Sequence, residues 1–238
     1  IIPSTWREMG VGFRGIRESG LRWDAGVVTS FDLTKWATAD SSETQESPLG
    51  AIHQEGQKAK AASLAYYGAL NFDGIPGVNI GGSVFHGGIG QKQPDIASPN
   101  ASVTLAELHS KWQVGAWDLS ALAAEGRFHD VSGFNTANSA GNPVPDQFRG
   151  WYAQAAYRLW RKGDYSLVPF TRYERVNTAV NYSNVFPGQV VSTGPDNKVW
   201  TLGASYYLHP QVVLKMDVQK YRNNSDLDSF NMGVGFHY

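Results

Sequence analysis

Residues 230–238 read FNMGVGFHY. Phe230, Met232, Val234, Phe236 and Tyr238 fall on one side of an extended chain, and Asn231, Gly233, Gly235 and His237 on the other. Successive strand side chains point to opposite faces, so this alternation predicts a strand with one apolar face. The stretch before it repeats the pattern. Val212, Leu214, Met216 and Val218 oppose Val213, Lys215, Asp217 and Gln219. Upstream, Trp200, Leu202, Ala204, Tyr206 and Leu208 oppose Val199, Thr201, Gly203, Ser205 and Tyr207.

Working outward, period two predicts further strands over 151–160, 62–72 and 21–31, and less regular ones over 6–17, 78–86, 103–113, 117–128 and 166–176. Leu119 and Leu122 fall on opposite sides of 117–128, which predicts a bulge there. Pro169 interrupts the pattern of 166–176, because proline cannot donate to a ladder. A helical period fits poorly almost everywhere. The reading is all-β, with about eleven antiparallel strands in a single domain over 1–238.

The polar faces carry Asp24, Lys111, Arg158, Arg172, Glu174, Lys215 and Asp217 in mid-strand. A dry core could not hold that many charges cheaply, so this face meets water. The apolar face then meets a second sheet or lipid. Connection lengths decide between them. Glu18–Gly20, Asp73–Gly77, Gly115–Ala116, Arg161–Asp164 and His209–Pro210 are short. Asp32–Lys58, Gly87–Ala101, His129–Gly150, Asn177–Asn197 and Arg222–Ser229 are longer, and the two kinds alternate. A transmembrane β-barrel has short turns at one end and long loops at the other, whereas a sandwich has no reason to keep this order. Trp6, Trp23, Phe31, Phe72, Trp112, Trp117, Trp151, Trp160, Trp200 and Tyr207 lie near predicted strand ends, as interfacial aromatic girdles would. The C-terminal strand, ending Phe236 and Tyr238, has the form of the signal read by the barrel-assembly machinery of bacterial outer membranes.

Composition agrees. The 238 residues contain 26 glycines, against a usual ~7%, and are rich in aromatics. The absence of cysteine removes disulfides, thiol nucleophiles and thiolate metal sites. A net charge of -1 argues against a general nucleic-acid binder. Mean hydropathy of -0.33 is compatible with a barrel, in which only alternate residues face lipid. With the C-terminus in the periplasm, the first strand runs downward and the count is odd. Single-chain bacterial barrels have an even count, so upstream strands are expected to be missing from this chain. At about 22 residues per strand and loop, a 16-stranded barrel needs roughly 350 residues. The alternative is a twelfth strand hidden in 32–58, around Leu49–His53.

Three stretches carry a family resemblance. "IIPSTWREMGVGFRG…GLRWDAGVVTSF" near the start, "PFTRYERVNT" at Pro169–Thr178, and "WTLGASYYLHPQVVLKMDVQKY…FNMGVGFHY" at the end resemble segments of phosphate-selective porins of the O and P type. The resemblance implies a 16-stranded, homotrimeric outer-membrane channel with anion or phosphate preference. It also implies that the inward-folded constriction loop lies upstream of this chain. The departure is that inward positions mix acids with bases and show no dense ladder of arginines.

The expected pore-lining residues are Arg14, Arg22, Asp24, Glu107, Lys111, Arg158, Arg172, Glu174, Lys215 and Asp217. Opposed rows of both signs would set a transverse field; neutralised wall pairs are the plainer reading, above all for Lys215 with Asp217 and Arg172 with Glu174. No catalytic residue, cofactor or metal is expected. His53, His86, His109, His129, His209 and His237 include no metal-spaced pair, and Glu107 with His109 lacks a nucleophile. Asp226 and Asp228 are loop carboxylates with weak claims as calcium ligands. The expected partners are outer-membrane lipid and small anions or solutes. A specific uptake channel for organic acids or sugars, a plugged structural barrel and a soluble sandwich remain open alternatives.

Overall fold

The computed structural model describes residues 6–56, 58–137, 142–182, 185, 191 and 196–236. Its strands are β1 (Gly10–Ile16), β2 (Leu21–Thr29), β3 (Leu64–Ile75), β4 (Val78–Gly88), β5 (Ser102–Val114), β6 (Trp117–His129), β7 (Gln147–Tyr157), β8 (Trp160–Lys162), β9 (Tyr165–Asn181), β10 (Asn197–His209), β11 (Val212–Tyr221) and β12 (Ser229–Phe236). They form one antiparallel sheet in chain order from β1 to β12, with the short β8 pairing β9 beside β7. β7 and β8 are one strand broken at Arg158 and Leu159, so the eleven expected strands are present. Tyr238 lies outside the described residues.

Every expected strand is found in place, and the long connections all leave the same end of the sheet. The tight turns use backbone that glycine tolerates, as at Gly115 with φ +62°. Pro169 sits where pairing with β7 has ended at Phe170 and pairing with β8, at Leu167, has not begun. Its missing N–H therefore leaves no gap in a ladder. The expected bulge in 117–128 is absent. The register of β6 with β5 and β7 is unbroken, so Leu119 opposes Trp112 on one face and Leu122 opposes His109 on the other.

One face is a broad apolar surface. Val11, Phe13, Leu108, Leu202, Met232 and Phe236 stand on it, each more than 60% exposed. Aromatics rim it. Trp112, Trp117 and Tyr157 stand beside the turns, with Trp117 and Tyr157 rings 4.8 Å apart. Nearer the loops, Tyr173 lies 5.4 Å from Trp151 and 4.8 Å from Trp200. Towards the loop ends of β6 and β7 this face turns polar, with Arg127 paired to Glu125 at 2.6 Å and Arg149 in register with Glu125.

The main buried cluster is on the opposite face. The connection from Ser30 to Ser63 contains a 3-10 turn (Leu33–Ala37), α1 (Ser41–Glu46) and α2 (Pro48–Ile52). Phe31, Leu33, Trp36, Leu49 and Ile52 pack with Phe85, Val103, Leu105, Phe128 and Phe148 of the sheet's inner face. α1, which follows β2, touches β9, six places along the sheet. The segment thus lies across the sheet's inner face. This corrects two expectations. Leu49–His53 holds no strand, because Ser47 accepts from Gly50 N at 3.2 Å and Pro48 starts a helical turn. An inward-folded segment is also present in this chain, rather than only upstream of it. Trp6 and Phe31 are not girdle residues: they stack at 5.2 Å within the inner cluster. Tyr207, in register with Val213 and Ser166, belongs to the inner face as well.

Candidate functional site: the inner face and its inward-folded segment

All ten expected site residues lie on the inner, polar face. Most are paired there. Arg14 stands opposite Asp24 in register, 3.9 Å away. Arg22 meets Asp73 at 2.7 Å, and Lys111 meets Asp118 at 3.5 Å. Arg172 is 2.6 Å from Glu174 and lies over the Tyr152 ring at 4.0 Å. Glu107 is 2.9 Å from His109, whose other nitrogen is 3.0 Å from Asn71. Lys215 and Asp217 do not pair with each other. Lys215 lies over Phe170 at 4.8 Å, and Asp217 accepts from Asn231 at 3.0 Å. Arg158 lines a hollow beside the turns with Asp118, Ser166 and Tyr207.

The inward segment is held by polar bonds as well as by its apolar cluster. Trp36 Nε1 donates to Asn142 O at 2.8 Å and its ring meets Phe128 edge-on at 6.0 Å. Buried Gln91 donates to Phe31 O at 2.9 Å and accepts from Ser63 N at 3.1 Å. Buried Gln54 accepts from Lys60 N at 2.8 Å. These amides satisfy backbone groups that would otherwise be stranded in an apolar cluster. Asp32 caps the 3-10 turn and pairs with Lys60 at 2.8 Å. Burial pushes its carboxyl up, but the bonds from Lys60 and Thr34 outweigh that and hold it below its ordinary value.

What the segment leaves exposed carries both signs, Lys35 and Lys58 as well as acids. Asp40, Glu43 and Glu46 in and before α1 are all solvent-exposed, and none is in an ion pair among the described residues. Below the segment, the inner wall forms a cavity of about 430 Å³ that includes Trp6, Glu8, Tyr67, Phe85, Leu105 and Glu107. A larger hollow of about 980 Å³ lies over small outer-face residues such as Ala25, Gly82 and Ala106, and its walls are apolar. Asp228 accepts from Tyr221 N at 2.8 Å and pairs with Lys220 at 2.7 Å, which uses its oxygens within its own loop.

The sequence reading missed the segment's anchors. A signal for them existed: Leu33 with Trp36, and Leu49 with Ile52, are apolar pairs at helical spacing inside an otherwise polar connection.

No family model matches the chain. An uncharacterized protein of Aquifex aeolicus (strain VF5) is 28% identical over 246 residues; the match covers 98% of this chain and 53% of that protein. Salmonella typhi OmpF, solved in complex with daunomycin, superposes with a TM-score of 0.54 at 11% identity, covering 94% of this chain and 59% of the OmpF chain. The fold is that of a porin-like β-barrel wall. The chain spans about half the length of the curated relative. Neither similarity speaks for the phosphate-selective O and P type in particular.

Proposed function

We propose that this chain forms most of the wall of an outer-membrane porin, a water-filled channel for passive diffusion of ions and small solutes. The observation that carries this is the division of one sheet into a lipid-type outer face and a charged, hydrated inner face with a segment folded across it. β1 and β12 each have a free edge among the described residues. In this reading further strands of a longer protein close the wall between them, giving a barrel of about 16 strands. The barrel assembles as a homotrimer, after insertion through its C-terminal strand.

Selectivity in such a channel follows the fixed charges at its narrowest part. Four of the six inward bases are matched by acids at 3.9 Å or less, and matched pairs present little net field. On the segment that enters the lumen, Asp40, Glu43 and Glu46 outnumber the exposed Lys35 and Lys58, and none of the five is in an ion pair among the described residues. The channel is therefore a weakly cation-leaning diffusion pore. The anion- or phosphate-preferring reading has Arg158 and Lys215 in its favour, since neither is in an ion pair among the described residues. Those two stand on the wall rather than on the inward segment.

The test is solute entry into proteoliposomes holding the full-length protein. Swelling in arabinose faster than in raffinose is expected for a water-filled pore narrowed by a segment. Liposomes that swell no faster than protein-free ones would refute the channel.

A further inference from the structure

The wall cavity beneath the inward segment has a composition unlike the rest of the inner face. Its walls are aromatic and aliphatic: Trp6, Tyr67, Phe85 and Leu105, of which Phe85 and Leu105 are buried. Its charged groups are two carboxylates, Glu8 and Glu107. Among the described residues, no lysine or arginine contributes to its lining. Elsewhere on this face, acids are answered by Arg14, Arg22, Lys111 and Arg172.

The cavity is built into the wall. Tyr67 lies flat against β1 and β2 because Gly12 and Gly26 leave room for it. A Cβ on Gly12 would come within 2.3 Å of the Tyr67 hydroxyl oxygen, and one on Gly26 within 2.7 Å of its ring. Trp6 is wedged between Phe31 and Phe85, with centroids at 5.2 and 5.0 Å. Its Nε1 donates to Glu8 Oε1 at 3.1 Å, and the Thr29 hydroxyl donates to the other oxygen. Glu107 is fixed by His109, which is itself fixed by Asn71. Two carboxylates are thus held against aromatic faces by second partners.

We propose that this cavity is a solute subsite for a small organic cation, an amine carried on an apolar or aromatic body. An ammonium answers a carboxylate that no lysine or arginine pairs with. The aromatic faces take both the apolar body and, through their quadrupoles, the charge. Anions are repelled, and a neutral polar solute brings no charge to answer the carboxylates. A volume of about 430 Å³ lies within the ~300–1,000 Å³ range of small-molecule sites. Burial pushes the Glu8 carboxyl up from its ordinary value despite the bonds from Thr29 and Trp6. The proposal rests on the channel reading only in that solute reaches the cavity from the lumen.

The experiment is equilibrium dialysis of full-length protein, folded in detergent at pH 7.5, against tryptamine, its neutral counterpart tryptophol, and indole-3-acetate. Heat-modifiable gel mobility checks folding of each variant. Tryptamine is expected to bind at least tenfold tighter than tryptophol, with indole-3-acetate weakest. Glu8→Gln and Glu107→Gln should each weaken tryptamine at least fivefold and leave tryptophol unchanged. Glu8→Asp keeps the charge and should keep most of the binding; Glu125→Gln, on the outer face, should change nothing. Equal binding of tryptamine and tryptophol, or losses in Glu8→Gln and Glu107→Gln no larger than in Glu125→Gln, would overturn the subsite. A protein that conducts but does not bind tryptamine also overturns it and leaves the channel standing. One that binds with this specificity but does not conduct supports the subsite and removes the channel.

Discussion

Removing the Trp36 side chain should free the inward segment without unfolding the barrel. Trp36 is 2% exposed, stands edge-on to Phe128, and gives its Nε1–H to Asn142 O at 2.8 Å. It makes no sheet ladder bond, so its loss falls on the attachment of residues 30–63 and not on the strands. Truncating a buried tryptophan to alanine costs about 3–5 kcal/mol, cavity included. At about 1.4 kcal/mol per decade, the detached fraction should rise by roughly two to three and a half decades. Lys35, Lys58 and Lys60 are exposed within this segment and give trypsin three places to cut once it opens. When opening and closing are fast relative to cleavage, the cutting rate follows the open population. Trp36→Ala should therefore be cut at least a hundredfold faster at these lysines, with gel mobility of the folded barrel unchanged. Trp36→Phe keeps most of the ring and loses the hydrogen bond, worth about 1 kcal/mol, so its rate should rise by less than tenfold. Cleavage of Trp36→Ala within threefold of the parent rate would refute the view that this cluster holds the segment in the lumen.

Neutralising the exposed acids with Asp40→Asn, Glu43→Gln and Glu46→Gln together should move the zero-current potential in a KCl gradient towards anion preference; an unchanged potential would show that α1 does not face the conducting path. Leu202→Arg places a charge on the outer face and should cost about 2–4 kcal/mol in urea unfolding from bilayers if it lies near the midplane. Ser205→Arg, on the inner face of the same strand, should cost under 1 kcal/mol, and the reverse order would invert the assignment of faces. The Asp32 carboxyl is depressed in the folded chain, so its stabilising contribution is complete above the ordinary value near 3.8 and is lost as pH falls through the lower folded value. Asp32→Asn should remove that part of the acid dependence of segment release, read as tryptophan fluorescence between pH 5 and 2.

The wall was legible in the chain because a strand with an apolar surface on one side and a polar one on the other writes that division into every second residue. Phe230, Met232, Val234 and Phe236 could be assigned to a face with no knowledge of their neighbours. The inner cluster was not legible by that rule. Phe31 and Trp6 sit at strand ends, where a girdle residue and a core residue look alike; only the side chains packed against them, such as Phe85, distinguish them. Leu33, Trp36, Leu49 and Ile52 lie in short turns of helix, too brief for a periodicity to develop. The pairing of wall charges was half legible. Arg172 with Glu174 follows from strand spacing, but Arg22 with Asp73, and Lys111 with Asp118, join neighbouring strands and need the register. The carboxylate cavity drew Glu8 from a residue just outside β1 and Glu107 from mid-strand, which no spacing within one segment brings together.

The central claim is tested most directly by planar-bilayer recording of the full-length protein. The account predicts discrete, ohmic steps in KCl and a zero-current potential of cation sign in a salt gradient. Folded protein that inserts and gives no steps would contradict it.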